Sequence, residues 1–255
     1  MSIRFLNRFM EQKWENLLLL HWPVEKEKIT PTLPADLEVD LFEKQAWLSV
    51  VGFKLTGLRI SPIRPILWPS FWEINLRTYV RDRRGNKGVW FYSLDSSDPF
   101  AVSGARLLYG LKYNFAETEG ILKDDKITFI SHRKFPHQKA NSKFHAQLPN
   151  FKQLDNLANS KIDNFLLERY RFWSIRKFGR KSESANVKHS PYRSVKVREA
   201  VYNGDLFRSQ GFAEPSENPQ LGHFCEGLDV QASAPEWAFS IAGHANHKYE
   251  DSFNL

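Results

Sequence analysis

Four side chains that could do chemistry stand at alternate positions in one short stretch: Glu73, Asn75, Arg77 and Tyr79, in the segment EINLRTYVR. Alternate residues of an extended chain share a face at steps of roughly 6.6–6.8 Å. A strand here presents a carboxyl, an amide, a guanidinium and a phenol in one row. An arginine so placed can hold a substrate carboxylate bidentately, and Glu73 can give or take a proton. In an open sheet this row faces solvent. In a small closed barrel it faces a cavity, where a buried glutamate must pair with arginine or take up a proton.

Other candidates are more dispersed. Arg106 stands in an otherwise apolar stretch, Ala105–Tyr109, and reads either as a ligand contact or as a structural ion-pair partner, as do Glu168 and Arg169. His189 precedes Ser190-Pro191 and is either a base or a loop histidine in a turn. No P-loop, GxSxG or dinucleotide fingerprint occurs, so no cofactor is expected. The histidines are scattered, their one close pair being His244 and His247, and no metal site is expected. Asp95 to Asp98 (DSSD) carries too few ligands for a calcium loop.

The elements that must position these residues read mostly as strands. EINLRTYVR alternates strictly, DRRGNKG (82–88) supplies turn chemistry, and VWFYSLD (89–95) returns as a second strand. Leu17–Val24 is an apolar run, and Glu25–Thr30 suits one or two helical turns. Leu37–Phe42 and Ala46–Phe53 suggest a hairpin about Glu43-Lys44-Gln45. Residues 57–70, with Pro62, Pro65 and Pro69, read as a loop. Asp98 before Pro99 opens a helix running towards Leu111. Weaker strand signals lie at Ile127–Ser131, Lys143–Leu148, Leu166–Ile175 and His223–Gln231. Residues 179–186 read as loop, and from Ala232 the chain reads as a polar tail.

Composition fits a single folded unit over about residues 5–231, with a tail at 232–255. Hydrophobic residues make up 42% of the chain, with 20 Phe, 8 Trp and 8 Tyr to fill a core. The one cysteine, Cys225, precludes an intrachain disulfide and suits a reducing compartment. No segment approaches the ~20 apolar residues of a membrane span, and no signal peptide is evident, so a cytoplasmic protein without membrane partners is expected. The net charge of +7 invites nucleic acid, but the basic residues are spread along the chain and no recognition motif accompanies them. No nucleic-acid partner is expected, and a homo-oligomer is open.

Seven ordered blocks carry a family resemblance: LHWPVEKEKITPTLPADLEVDLFEKQAWLSVVGF (20–53), FWEINLRTYVR, GVWFYSLDSS, ARLLYGLKY (105–113), LLERYRF (166–172), VKHSPYRSV (187–195) and GLDVQ (227–231). In order and spacing they resemble the uncharacterised YqjF-like family of the acetoacetate-decarboxylase-like superfamily. The resemblance implies an α+β, mainly β fold, a closed β-barrel with a few short helices around a central cavity. It also implies that Glu73 corresponds to an active-site glutamate of the decarboxylase, whose Schiff-base lysine is followed by a second lysine. With Arg106 held in register, Lys112 falls one position before that lysine and Tyr113 takes its place. No second lysine adjoins Lys112. A one-residue offset on an extended segment reverses side-chain direction. The expectation is therefore a barrel that binds a small acidic or amphipathic metabolite through Asn75, Arg77, Tyr79, Arg106, Tyr113 and His189. The alternative is a lyase or hydrolase acting on a keto acid or related carboxylate, with Glu73 as general acid/base and Lys112 as Schiff-base lysine.

Overall fold

The computed structural model describes residues 9–61, 68–149, 160–175 and 181–238. Thirteen strands form one continuous sheet: β1 (Met10–Val24), β2 (Leu37–Val39), β3 (Ala46–Ile60), β4 (Phe71–Asp82), β5 (Lys87–Ser96), β6 (Tyr113–Lys123), β7 (Lys126–Phe135), β8 (Asn141–Gln147), β9 (Arg171–Ser174), β10 (Glu183–Lys188), β11 (Ser194–Lys196), β12 (Arg198–Gly204) and β13 (Leu221–Ala232). Among the described residues, three short α-helices accompany them: α1 (Lys26–Ile29), α2 (Pro99–Tyr109) and α3 (Lys161–Leu167). No helix among the described residues is long and apolar enough to cross a membrane.

Where a closed barrel is expected, the sheet forms a ring of seven strands, in the order β5-β9-β10-β13-β1-β3-β4 and back to β5. Its two links are short. Parallel β5 and β9 join through Val89–Phe172 and Trp90–Trp173, and β10 joins β13 through Val187–Ala232 and Lys188–Gln231. Of the remaining strands, β6, β7, β8 and β12 extend the sheet from β5, while β2 pairs with β4 and β11 with β13. The extension places Phe129 and Phe144 against Leu18, Leu20, Val50, Ile74 and Leu76 on the outer face of the ring.

This second layer explains the pattern of β4. Its apolar set, Ile74, Leu76 and Val80, packs outward into that core, each such side chain contributing roughly 1.5–3 kcal/mol of burial. Its polar set points into the ring, so from Glu73 to Val80 both faces of the strand are buried.

Several local expectations hold and others need correcting. Asp98 caps α2, accepting from the N–H groups of Phe100 and Ala101, and Gly110 ends the helix at φ 67°. The hairpin expected between residues 37–42 and 46–53 is not formed: β2 pairs with β4 instead, and only Phe42 and Gln45 bridge the turn. Within 57–70, β3 continues to Ile60, while residues 62–67 lie outside the described set. Of the loop expected at 179–186, residues 179 and 180 lie outside the described set, and from Glu183 the chain enters β10, which finds partners in β9 and β13.

The polar tail does not begin at residue 232. Ala232 ends β13, Ser233 and Ala234 are buried, Tyr109 donates to the Ser233 carbonyl, and Trp237 donates to the Leu108 carbonyl. Those four residues are small or aromatic and gain cover from β1, β10 and α2, which no local pattern reveals. Residues 239–255 lie outside the described set.

Candidate functional site

The ring encloses a cavity of about 160 Å3. Most of its wall is aromatic or aliphatic, with Trp14, Phe53, Phe71 and Tyr192 among the contributors, and α2 closes one side through Ala101, Ala105 and Leu108. Into this apolar space project Glu73, Arg77, Tyr113, Arg169 and Arg171.

Glu73 is 3% exposed. Tyr113 donates its hydroxyl to Oε2 at 2.6 Å, and the Asn75 amide donates to Oε1 at 3.2 Å. Burial pushes the Glu73 carboxyl up to about 7, against the pull of those two hydrogen bonds and of the Arg77 charge. The same burial, together with the Glu73 charge, drives the Tyr113 phenol well above its ordinary value, so Tyr113 remains a donor. Glu73 and Tyr113 are thus a hydrogen-bonded acid pair whose carboxyl is poised to exchange a proton near neutrality.

Arg77 is buried, and its Nε and Nη2 have no hydrogen-bond partner among the described residues. These two atoms form one edge of the guanidinium, the edge that grips a carboxylate with two parallel hydrogen bonds. A buried charge with unmet donors is costly unless something arrives to satisfy it. Arg169, by contrast, is satisfied: Nη1 donates to Asp40 at 2.7 Å and Nε to the Phe165 carbonyl at 2.7 Å. Both guanidiniums lie over the Tyr79 ring, at 5.9 Å for Arg77 and 5.1 Å for Arg169.

The structure thus gathers Glu73, Asn75, Arg77 and Tyr113, with Tyr79 buried behind the arginines. It does not bring in the other candidates. Lys112 points to the far side of its strand connection and lies over Trp90 at 5.8 Å, in a separate cleft lined by Leu33, Pro34 and Trp173. The reversal is the physical consequence of the one-residue offset from Tyr113. Desolvation pulls the Lys112 ammonium below the usual lysine value, although one side of it stays open to solvent. No lysine lines the cavity among the described residues.

Arg106 turns away as well, bonding the Tyr113 carbonyl at 2.7 Å and so fixing the segment that carries the phenol. His189 sits on the outer surface, stacked on Tyr170 at 4.6 Å and edge-on to Tyr192 at 5.1 Å. Three cavity residues had no sequence signal as site residues: Tyr109, Tyr192 and Arg171 come from a helix end, a loop and a short strand with no shared spacing.

A family model described as "Uncharacterized conserved protein" matches residues 11–229. The Uncharacterized protein YqjF of Bacillus subtilis (strain 168) is 31% identical over 223 residues, covering 87% of this chain and 89% of the relative. The chain belongs to the YqjF-like family.

Solved structures share the fold at much lower identity. The enduracididine biosynthesis enzyme MppR complexed with pyruvate superposes with a TM-score of 0.59 at 10% identity, over 89% of each chain. An acetoacetate decarboxylase-like enzyme from Sphingomonas wittichii RW1 gives 0.58 at 12% identity, over 91% of this chain and 94% of that one. Acetoacetate decarboxylase of Legionella pneumophila gives 0.54 at 11% identity, over 89% and 86%. The fold of this YqjF-like chain is thus mainly β and acetoacetate-decarboxylase-like.

Proposed function

We propose that this YqjF-like protein binds a small molecule with one carboxylate and an apolar body inside the ring. Arg77 takes the carboxylate along its Nε–Nη2 edge, while Glu73 and Tyr113 meet a hydroxyl or keto oxygen on the same molecule. The observation that carries this reading is Arg77 itself, a cavity-lining guanidinium whose buried Nε and Nη2 have no hydrogen-bond partner among the described residues. A carboxylate would satisfy both donors at once, at charge-assisted strength. The pyruvate held by the structurally similar MppR belongs to the same chemical class.

A second reading, proton transfer on a keto acid, is favoured by one feature, the Glu73 carboxyl at about 7 beside a donor phenol. An imine mechanism gains no support, since Lys112 opens on a different cleft.

The test uses pyruvate and benzoate as probes, followed by the fluorescence of Trp14 and Trp68 in the cavity wall. Binding by the unmodified protein is expected to weaken at least about tenfold in Arg77→Met, the loss of one charge-assisted pair. The melting temperature of Arg77→Met is expected to hold or rise, because the substitution removes an unmatched buried charge. Carboxylate binding that is insensitive to Arg77→Met, or a failure of both probes to bind, would overturn the reading.

A further inference from the structure

Next to the cavity runs a hydrogen-bonded chain that ligand contact alone does not require. Asp163 Oδ1 meets His223 Nε2 at 2.9 Å, His223 Nδ1 meets His21 Nε2 at 3.1 Å, and His21 Nδ1 meets Ser49 Oγ at 2.7 Å. Ser49 Oγ in turn meets the Tyr79 hydroxyl at 2.8 Å. His21, Ser49 and Tyr79 are each 0% exposed and His223 is 1% exposed, so the histidine pair is sealed from water. Sheet register brings the chain to the cavity: His21 pairs with Ser49 across β1 and β3, and Ser49 pairs with Arg77 across β3 and β4. Directly paired residues project side by side on one face, about 4.5–5.5 Å apart.

The proton positions derive from one anchor. Burial alone would raise the Asp163 carboxyl, but hydrogen bonds from Ser160 and from His223 hold it below its ordinary value, so it is an acceptor. His223 Nε2 therefore carries a hydrogen, its Nδ1 accepts from His21 Nε2, and His21 Nδ1 accepts from Ser49. Every donor in the neutral chain points the same way. A proton added to His223 would set two N–H groups against each other, so His21 must change tautomer and donate from Nδ1 to Ser49 Oγ.

We propose that the His21–His223 pair is a proton-binding site coupled to the Arg77 cavity, so that an anion settling on Arg77 brings one proton onto the pair. This rests on the carboxylate-site reading above. Among the described residues, the groups that face the pair are Arg77 and Tyr79 from β4, Asp163 from α3, and Lys196 from β11, whose Nζ is 3.4 Å from Asp163 Oδ2. Burial, the neighbouring ring and the Arg77 charge keep His21 neutral, well below the ordinary histidine value. An anion on Arg77 cancels the last of these, and the proton enters from solvent at the Asp163 end, beside the exposed Lys196. The pair then titrates higher in the complex than in the free protein, so carboxylate affinity rises as pH falls through that interval, by up to tenfold per pH unit.

Two measurements test this. The first is a 15N NMR titration of His21 and His223 in the unmodified protein and in Arg77→Met, with no ligand. The midpoint of the pair is expected to rise by roughly one pH unit when the neighbouring charge is removed, with the Nδ1 tautomer of His21 appearing on protonation. The second is calorimetry with benzoate on Glu73→Gln protein, in two buffers of different ionisation enthalpy. Glu73 is replaced because it could itself take up a proton. Net uptake of up to one proton per benzoate is expected, appearing as pH falls into the range where the pair titrates. An unmoved midpoint in Arg77→Met, or benzoate binding without proton uptake, overturns the coupling while leaving the carboxylate site standing. A shifted midpoint with no benzoate binding removes the carboxylate site and keeps the link between Arg77 and the histidines.

Discussion

The two hydrogen-bond donors of Glu73 do not offset its loss of water. Tyr113 and Asn75 both favour the carboxylate, yet burial still carries the group up to about 7. This has a consequence for stability with a definite sign. The folded state holds the Glu73 proton more tightly than the unfolded chain, which releases it near its ordinary value of about 4.3. The stabilisation is full below that value and is lost as pH rises from there through about 7. Up to roughly 3–4 kcal/mol is at stake over that interval. Glu73→Gln mimics the protonated carboxyl and is expected to flatten that part of the pH–stability curve, with the variant matching or exceeding the unmodified protein at pH 8. Denaturant unfolding at a series of pH values checks this, and parallel curves for the two proteins would show that Glu73 does not titrate in that range. The unpaired Asn75 Oδ1 beside it is the acceptor a protonated Glu73 could use if the amide turned over.

At the scale of elements, α2 both walls the cavity and depends on the residue that caps it. Asp98 accepts from two backbone N–H groups through Oδ1 and from the Trp68 indole through Oδ2 at 2.8 Å. It therefore joins the helix start to a tryptophan of the cavity wall. Asp98→Ala is expected to cost about 1–2 kcal/mol, the usual penalty for a lost N-cap, and to weaken benzoate binding by loosening that wall. Asp98→Asn keeps the cap and should recover most of the stability, read by denaturant unfolding; equal losses in both variants would assign the cost to the Trp68 contact. This cap was legible in the sequence because capping is local, as was the β4–β5 hairpin, with its strict alternation and turn residues. The pairing of β2 with β4 was not legible, because its partner lies some 40 residues away and nothing in Leu37–Val39 specifies it. The same holds for β10 and for residues 232–238, whose burial is supplied by distant strands and a helix. In the site, Glu73, Asn75 and Arg77 were legible as a row of alternate residues, while Tyr109, Tyr192 and Arg171 were gathered only by closure of the ring.

Closure is a property of the whole molecule, and it rests on few backbone pairs. The β10–β13 link consists of Val187–Ala232 and Lys188–Gln231, and the chain just beyond it acts as a clasp. The Asn186 N–H donates to Ser233 Oγ, the Ser233 N–H donates to the Asn186 carbonyl, and Ser184 donates to Glu236 from both its N–H and its hydroxyl. Tyr109 and Trp237 tie the same segment to the end of α2. Since Val187, Ala232 and Tyr109 also line the cavity, the clasp and the cavity wall are one structure. Two truncations isolate the contribution of this segment: one ending at Gln231 and one ending at Ala238. The shorter chain loses six side-chain-mediated hydrogen bonds that the longer one retains, Tyr109, Trp237, Asn186 and Ser184 contributing five and the Ser233 hydroxyl to the Ala234 carbonyl the sixth. At about 1 kcal/mol each, and less where water can substitute, the difference between the two chains is expected to be several kcal/mol. The shorter chain should also expose Trp14 to quenching by iodide, because the cavity opens where the ring was fastened. Equal melting temperatures and equal quenching for the two truncations would mean that the ring closes without this clasp.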